Sequence, residues 1–170
     1  MRAVLFILVL VFLSSCAIFR KTRTAEKGVE ISGIYWASRN VGEIPGTFAE
    51  NAESAGGHFS WEEAQEVCPE GWRLPTIEEL SALKNTRVTW MRVNDVGGWA
   101  FGKGENQIFI PAVGFENPLT DTMDGKGESG FYWSNSPHGI TVHYLFLARD
   151  MVTAEFRLLP QSRMSVRCVK

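Results

Sequence analysis

Three cysteines carry the most reactive side chains of this chain of 170 residues, and they stand at positions 16, 68 and 168. A cysteine can accept an acyl group, pair in a disulfide, bind a metal or attack a substrate, and its surroundings decide which of these it does. Cys16 follows an apolar run, whereas Cys68 and Cys168 lie in sequence of mixed polarity. We therefore expect Cys16 to have a different role from the other two.

The first fifteen residues contain the three parts of a secretory signal. Arg2 supplies the charge, residues 3–13 form an uninterrupted apolar run, and Ser14 and Ser15 are small residues before Cys16. The run is too short for a permanent membrane span, which needs about 20 residues. Its ending, Leu-Ser-Ser-Cys, resembles the lipobox of bacterial lipoproteins. We predict cleavage before Cys16 and lipid on that cysteine; an ordinary signal with an incidental cysteine is the alternative.

Lipid on Cys16 would hold the protein at a membrane without spanning it, and the expected location is the bacterial outer membrane, in either leaflet. Residues 16–29 are predicted to be a tether and residues 30–170 a single domain, which is long enough for a hydrophobic core. Without Arg2, the 17 Lys and Arg residues become 16 (17 − 1), against 19 Asp and Glu residues. This balance gives no indication of the basic surface that nucleic acid would require, and we expect no nucleic-acid partner.

Cys68 and Cys168 form an even pair in a chain that is expected to reach an oxidising compartment, which indicates a disulfide. On the chain-entropy model, closing a loop of about 100 residues contributes about 4–5 kcal/mol. Two separate buried thiols are the alternative. With Cys16 acylated, the disulfide would leave no thiol for nucleophilic catalysis.

The histidines do not indicate a catalytic or metal centre. His58, His138 and His143 lack metal-ligand spacing to a cysteine or carboxylate, and no Gly-x-Ser-x-Gly or phosphate-binding Gly-Lys-Ser/Thr motif is present. We therefore predict a protein that is not an enzyme and that has no cofactor and no metal site.

The acidic segment 116–128 has oxygen ligands of the kind that calcium prefers, including Asn117, Asp121 and Asp124. Their spacing does not follow the EF-hand order. A solvated acidic loop is the favoured interpretation, and calcium binding is the alternative. The three side chains are retained as candidate ligand contacts.

Aromatic side chains in the middle of the chain are the second set of candidate ligand contacts. Trp90, Trp99 and Phe101 lie among glycines, and rigid rings on irregular backbone are frequent in recognition sites. Packing of these rings in the core is the favoured alternative.

Two helices are predicted in the first half of the domain. The first runs from an N-cap at Ser60 towards Cys68 and ends before Pro69, and the second begins at the N-cap Thr76 and ends near Asn85. In both, a glutamate three residues after the cap has capping-box spacing.

Most of the remaining domain is assigned to strands and loops. Residues 31–41 form the first strand region, and residues 88–130 a long irregular loop with a short strand at 108–113. Further strands are expected at 131–135, 142–149, 151–158 and 163–169. The predicted class is α+β, with two early helices packed on a mainly antiparallel twisted sheet and a long irregular middle loop.

Four motifs in order resemble the Fibrobacter succinogenes major paralogous domain. They are Cys-Pro-Glu-Gly-Trp-Arg-Leu-Pro-Thr at 68–76, Phe-Ile-Pro-Ala-Val-Gly at 109–114, Gly-Phe-Tyr-Trp-Ser at 130–134 and Ser-Val-Arg-Cys-Val at 165–169. The resemblance covers roughly residues 31–170. It implies a C-type lectin-like fold, a disulfide from the first helix to the last strand, and an exported, often lipid-anchored protein.

Taken together, these features predict a non-enzymatic, lipid-anchored envelope protein that binds a glycan or a protein, for example in adhesion. The first alternative is a structural or accessory subunit of a surface assembly. The second is an enzyme similar to sulfatase-activating proteins, whose fold is related, although no redox-active cysteine pair is left for that chemistry.

Overall fold

The structure is a computed structural model that describes residues 25–170. Strands and bridges account for 43% of the described chain and helices for 8%. The protein is therefore mainly β, with several small sheets, and the predicted α+β class, with helices packed on one C-type lectin-like sheet, is wrong.

The described chain contains eleven strands and two helices. In order, they are β1 (Val29–Ile31), β2 (Ile34–Trp36), α1 (Trp61–Ala64), α2 (Ile77–Lys84), β3 (Val88–Val93), β4 (Val96–Lys103), β5 (Asn106–Pro111), β6 (Phe115–Asn117), β7 (Thr122–Asp124), β8 (Gly130–His138), β9 (Thr141–Ala148), β10 (Met151–Thr153) and β11 (Arg157–Leu158).

The strands form four separate antiparallel sheets. β1 and β2 make a hairpin, β3, β4 and β5 make a three-stranded meander, and β6 and β7 make a second hairpin. In the fourth sheet, β8 lies on one side of β9, and β10 and β11 pair with different ends of β9 on the other side. No helix of residues 25–170 is long and apolar enough to cross a membrane.

The predicted irregular middle loop is instead the meander β3–β4–β5, followed by the hairpin β6–β7. Asn94 and Asp95 both have positive φ, +45° and +65°, as a two-residue hairpin turn requires. The neighbouring glycines serve close packing inside the sheet: a Cβ on Gly98 would lie 2.6 Å from Cζ of Phe109. The glycines therefore allow large rings to cover the meander and do not interrupt it.

Both predicted helix starts are confirmed, because Ser60 and Thr76 each form a complete capping box. The second helix ends at Lys84 with Asn85 as its C-cap, as expected. The first is shorter than predicted, since it ends at Ala64 and does not include Cys68. Beyond the helix, the chain is held by tertiary contacts, among them a 2.9 Å hydrogen bond from the Gly46 N–H to the carbonyl of Val67.

The β8–β9 pair lies between two hydrophobic clusters, because alternate side chains of a strand point to opposite faces. Tyr132 and Leu145 belong to the cluster that also contains residues of α2 and the meander. Trp133 and Tyr144 belong to the cluster that also contains Ala64 and the segment around Cys168.

The disulfide between Cys68 and Cys168 is present, with the two Cα atoms 6.0 Å apart, and that prediction is confirmed. The segment 163–169, in contrast, is not the predicted strand. Its residues make isolated bridges to different elements: Ser165 pairs with Tyr132, whereas Val169 pairs with both Trp36 and Arg73. Because the partner changes from residue to residue, no regular ladder forms.

Candidate functional site

The predicted aromatic contacts have different surroundings. Trp99 and Phe101 are 2% and 0% exposed, so they are core residues with no surface for a ligand. Trp90 is half-buried, and its ring makes an edge contact with Trp99 at a centroid distance of 4.6 Å. The guanidinium carbon of Arg149 lies 4.8 Å from the Trp90 ring centroid. Of the three, only Trp90 could contribute to a surface site.

The acidic loop is a hydrogen-bonded hairpin. Asn117 donates to Asp124 Oδ2 at 3.0 Å and the Thr122 hydroxyl donates to Asp124 Oδ1 at 2.8 Å; these bonds lower the pKa of the Asp124 carboxyl. Asp121 stands in the turn with φ +53°. The structure thus brings Asn117 and Asp124 together and leaves Asp121 at the tip. Across residues 25–170, no group of three or more His, Cys, Asp or Glu side chains is placed to hold a metal ion.

Ion pairs around Arg163 connect α1 to β6. Arg163 binds Glu63 at 2.8 Å and Glu116 at 3.0 Å, and it donates to the carbonyl of His58 at 2.8 Å. Burial lowers the pKa of the His58 imidazole, whose Nδ1 lies 4.0 Å from Glu116. A cation bound by two carboxylates and a carbonyl stabilises the contact between α1 and β6.

A cleft of about 450 Å³, here called the aromatic cleft, combines two aromatic rings with charged side chains and is a candidate for ligand binding. Four parts of the chain line it: the N-terminal end of the described chain, the loop after β2, the turn before α2, and the end of the domain. The lining residues are Ala25, Glu26, Arg39, Gly46, Thr47, Phe48, Pro69, Glu70, Trp72 and Lys170.

Two rings and two cations define the geometry of the aromatic cleft. Phe48 and Trp72 meet almost at a right angle, 84°, with their centroids 5.4 Å apart. The guanidinium carbon of Arg39 lies 5.7 Å from the Phe48 centroid, and Lys170 Nζ lies 4.5 Å from the Trp72 centroid. Both contacts are within the range of cation–π attraction.

The turn that carries Trp72 is fixed from both sides. The Trp72 N–H donates to the Pro69 carbonyl at 2.9 Å, and the next residue, Arg73, exchanges two 2.9 Å backbone hydrogen bonds with Val169. The disulfide joins the residue before Pro69 to the residue before Val169. These links place Lys170 over the Trp72 ring.

Glu26 supplies a nearly buried carboxylate to the aromatic cleft, with a side chain 6% exposed. Burial on its own would raise its pKa, but the Ser38 N–H at 3.0 Å and Arg39 Nε at 2.9 Å donate to it and bring the net pKa below its ordinary value. Glu26 and Val29 lie in the predicted tether, yet both contact the folded domain.

The residues of the aromatic cleft are not among the ligand contacts predicted from the sequence. In the structure Trp72 is half-buried, whereas Leu74 in the same turn is buried. A tryptophan between a glutamate–glycine pair and an arginine is a weak signal of a surface ring. Phe48 and Lys170 had no such local signal, because only the fold brings them to Trp72.

Comparison with known proteins does not assign the chain to a family: no protein-family model, curated protein or solved structure matches it. The resemblance to the Fibrobacter succinogenes domain therefore stays a prediction. Cys16, the predicted lipidation site, lies outside the described residues.

Proposed function

We propose that this protein is a non-enzymatic, lipid-anchored envelope protein whose domain binds a ligand in the aromatic cleft. The observation that carries the proposal is the corner formed by Phe48 and Trp72, with charged side chains at its rim. A concave site with apolar walls and a few polar groups is the usual form of a small-ligand site, and its volume is within the usual range of about 300–1,000 Å³.

A glycan fits this chemistry better than an extended protein surface does. A sugar ring has an apolar face that packs on an aromatic ring, and its hydroxyls bond with charged side chains at the edge. Glu70 is exposed at the rim of the cleft and is available for such bonds. A short glycan segment is the expected ligand, and a protein loop is the alternative.

The sequence before the domain supports anchorage to the bacterial outer membrane through lipid on Cys16. Ala25, which lines the aromatic cleft, follows Cys16 by 9 residues (25 − 16). A chain of that length reaches at most about 30 Å. A ligand in the cleft would therefore be held close to the membrane surface.

A glycan array probed with the purified full chain in detergent tests the proposal. We expect a restricted set of glycans to bind, and we expect Trp72→Ala to abolish the signal. Phe156→Ala is the control, because Phe156 is an exposed aromatic residue outside the cleft, and this variant should retain binding. A blank array together with a co-purifying envelope protein would contradict the proposal and favour an accessory subunit of a surface assembly.

A further inference from the structure

The cation that contacts the Trp72 ring is a side chain of the protein itself, Lys170. The ammonium of Lys170 lies 4.5 Å from the ring centroid, in the position that a ligand cation takes in an aromatic recognition site. Phe48 closes the corner at 84° to Trp72, so two ring systems border the same space. Glu26 and Glu70 are among the residues that line the same cleft.

We propose that the aromatic cleft recognises an organic ammonium group, and that Lys170 occupies the place of this group when the ligand is absent. The inference rests on the proposed function, because it names the chemical class of the ligand for the same cleft. The ligand we infer is an amino sugar, whose ring packs on Trp72 and whose ammonium replaces that of Lys170.

The charges of the cleft favour this exchange. Arg39 is paired with Glu26 at 2.9 Å, so these two side chains neutralise each other. Once Lys170 moves away, the carboxylate of Glu70 remains as the uncompensated charge among the titratable side chains that line the cleft. A site with one net negative charge and aromatic walls attracts a single positive charge.

Lys170 can leave the ring without a change in the fold. Its backbone N–H donates to the carbonyl of Tyr35 at 2.9 Å, which holds the main chain, whereas its side chain is exposed. A lysine side chain moves between rotamers on a time scale of nanoseconds or faster at the surface. Lys170 therefore acts as a competitor that is tethered at the site, and the ligand has to displace it.

The test is isothermal titration of the purified full chain in detergent at about pH 6, where a sugar amine is protonated. The probes are glucosamine, N-acetylglucosamine and choline. Glucosamine and its N-acetyl form share the ring and differ in the charge, and choline carries a charge without a sugar ring. We expect glucosamine to bind clearly more tightly than N-acetylglucosamine; binding of choline is additional support.

Two variants separate the role of the ring from that of the tethered cation. Trp72→Ala should weaken glucosamine binding roughly tenfold or more, because the cation–π contact and the packing surface are removed. Lys170→Ala should tighten binding severalfold, because the competing ammonium is gone. Lys126→Ala is the matched control for an exposed lysine outside the cleft, and we expect it to change nothing. Lys170 is exposed, so its variant stays informative even if Trp72→Ala does not fold.

Three results would overturn the inference. Equal binding of the two sugars would show that the sugar ring is recognised and its ammonium group is not. The proposed glycan function would survive that result. Weaker binding by Lys170→Ala would make Lys170 a ligand contact instead of a competitor. Failure of both glucosamine and choline to bind at millimolar concentration would exclude the ammonium class, and the glycan array would then decide separately on the proposed function.

Discussion

At the residue scale, hydrogen bonds offset the desolvation cost of burying two charged side chains, Arg167 and Glu26. Arg167 is 1% exposed, and it donates to the side chain of Asn40 and to the carbonyls of Ala37 and Phe109, each at 3.0 Å. Burial lowers its pKa to about 10. Glu26 is a nearly buried side chain of opposite charge. Its hydrogen bonds lower its pKa by more than burial raises it. Such groups contribute to stability only in the charge state that their partners require.

Replacing Glu26 by glutamine should lower the free energy of unfolding by about 1 kcal/mol near neutral pH, because Arg39 loses its counter-ion. The folded-state pKa lies below the ordinary value of 4.5, so the stabilisation is present above that value and disappears as the pH falls through the lower, folded-state pKa. Urea denaturation at about pH 7 and about pH 3 measures the difference.

Glu105→Gln, in the exposed turn between β4 and β5, is the matched control and should change stability little at either pH. A difference between wild type and Glu26→Gln that stays constant over this range would contradict the role assigned to the charge.

At the element scale, local and tertiary determinants can be separated. Both capping boxes involve side chains three residues from their backbone partners, so the sequence was sufficient to predict them at Ser60 and Thr76. The meander was missed because its glycines were interpreted as breaks. In the structure, Gly97 and Gly98 accept the rings of Trp90 and Phe109, and only the paired strands show which rings these are.

Adding a methyl group inside the meander should therefore be costly. A Cβ on Gly98 would lie 2.5 Å from the Ile110 carbonyl oxygen and 2.6 Å from Phe109 Cζ, so we expect Gly98→Ala to lower the free energy of unfolding by about 2–3 kcal/mol. Chemical denaturation of the purified variant measures this loss.

Gly104→Ala is the contrast. Nothing lies within 4 Å of its added Cβ, and only its φ of +62° opposes the substitution, at a cost of about 1 kcal/mol. If Gly98→Ala were no more harmful than Gly104→Ala, the close packing of the meander would not be the reason for the glycine.

At the scale of the whole molecule, the disulfide and the proposed lipid hold the two ends of the domain. Cys68 and Cys168 are 100 positions apart, and their bond joins the turn before α2 to the end of the domain. The described chain enters the fold at the aromatic cleft, through Ala25 and Glu26. The start of the described chain, the covalent crosslink and the candidate site therefore lie close together.

Replacing both Cys68 and Cys168 by serine should lower the free energy of unfolding by about 4–5 kcal/mol on the chain-entropy model. Because the disulfide also holds Trp72 and Lys170 together, ligand binding should be weakened even where the variant is still folded. Denaturation and titration of the same sample test both effects, and a variant with unchanged stability would contradict the first of them.

Lipid on Cys16 predicts that Cys16→Ala loses incorporation of labelled fatty acid and moves from the membrane fraction to the soluble fraction of the cell. Ser15→Ala is the control, because it keeps a small residue before Cys16 and leaves the acylation site and the disulfide intact. Retained labelling in Cys16→Ala would refute the anchor. If labelling is lost as expected, protease accessibility of the wild-type protein on intact cells identifies the membrane leaflet.

The sequence alone determined features that depend on neighbouring residues or on a simple count. The helix caps and the pairing of Cys68 with Cys168 are of this kind, whereas the length of the first helix is not. The secretory signal and the lipid on Cys16 stay predictions. The proportion of strand, the meander and the aromatic cleft were decided by tertiary structure. Strand partners and the walls of a cleft come from distant segments: Glu26, Phe48, Trp72 and Lys170 meet only because the small sheets and the disulfide bring four parts of the chain together.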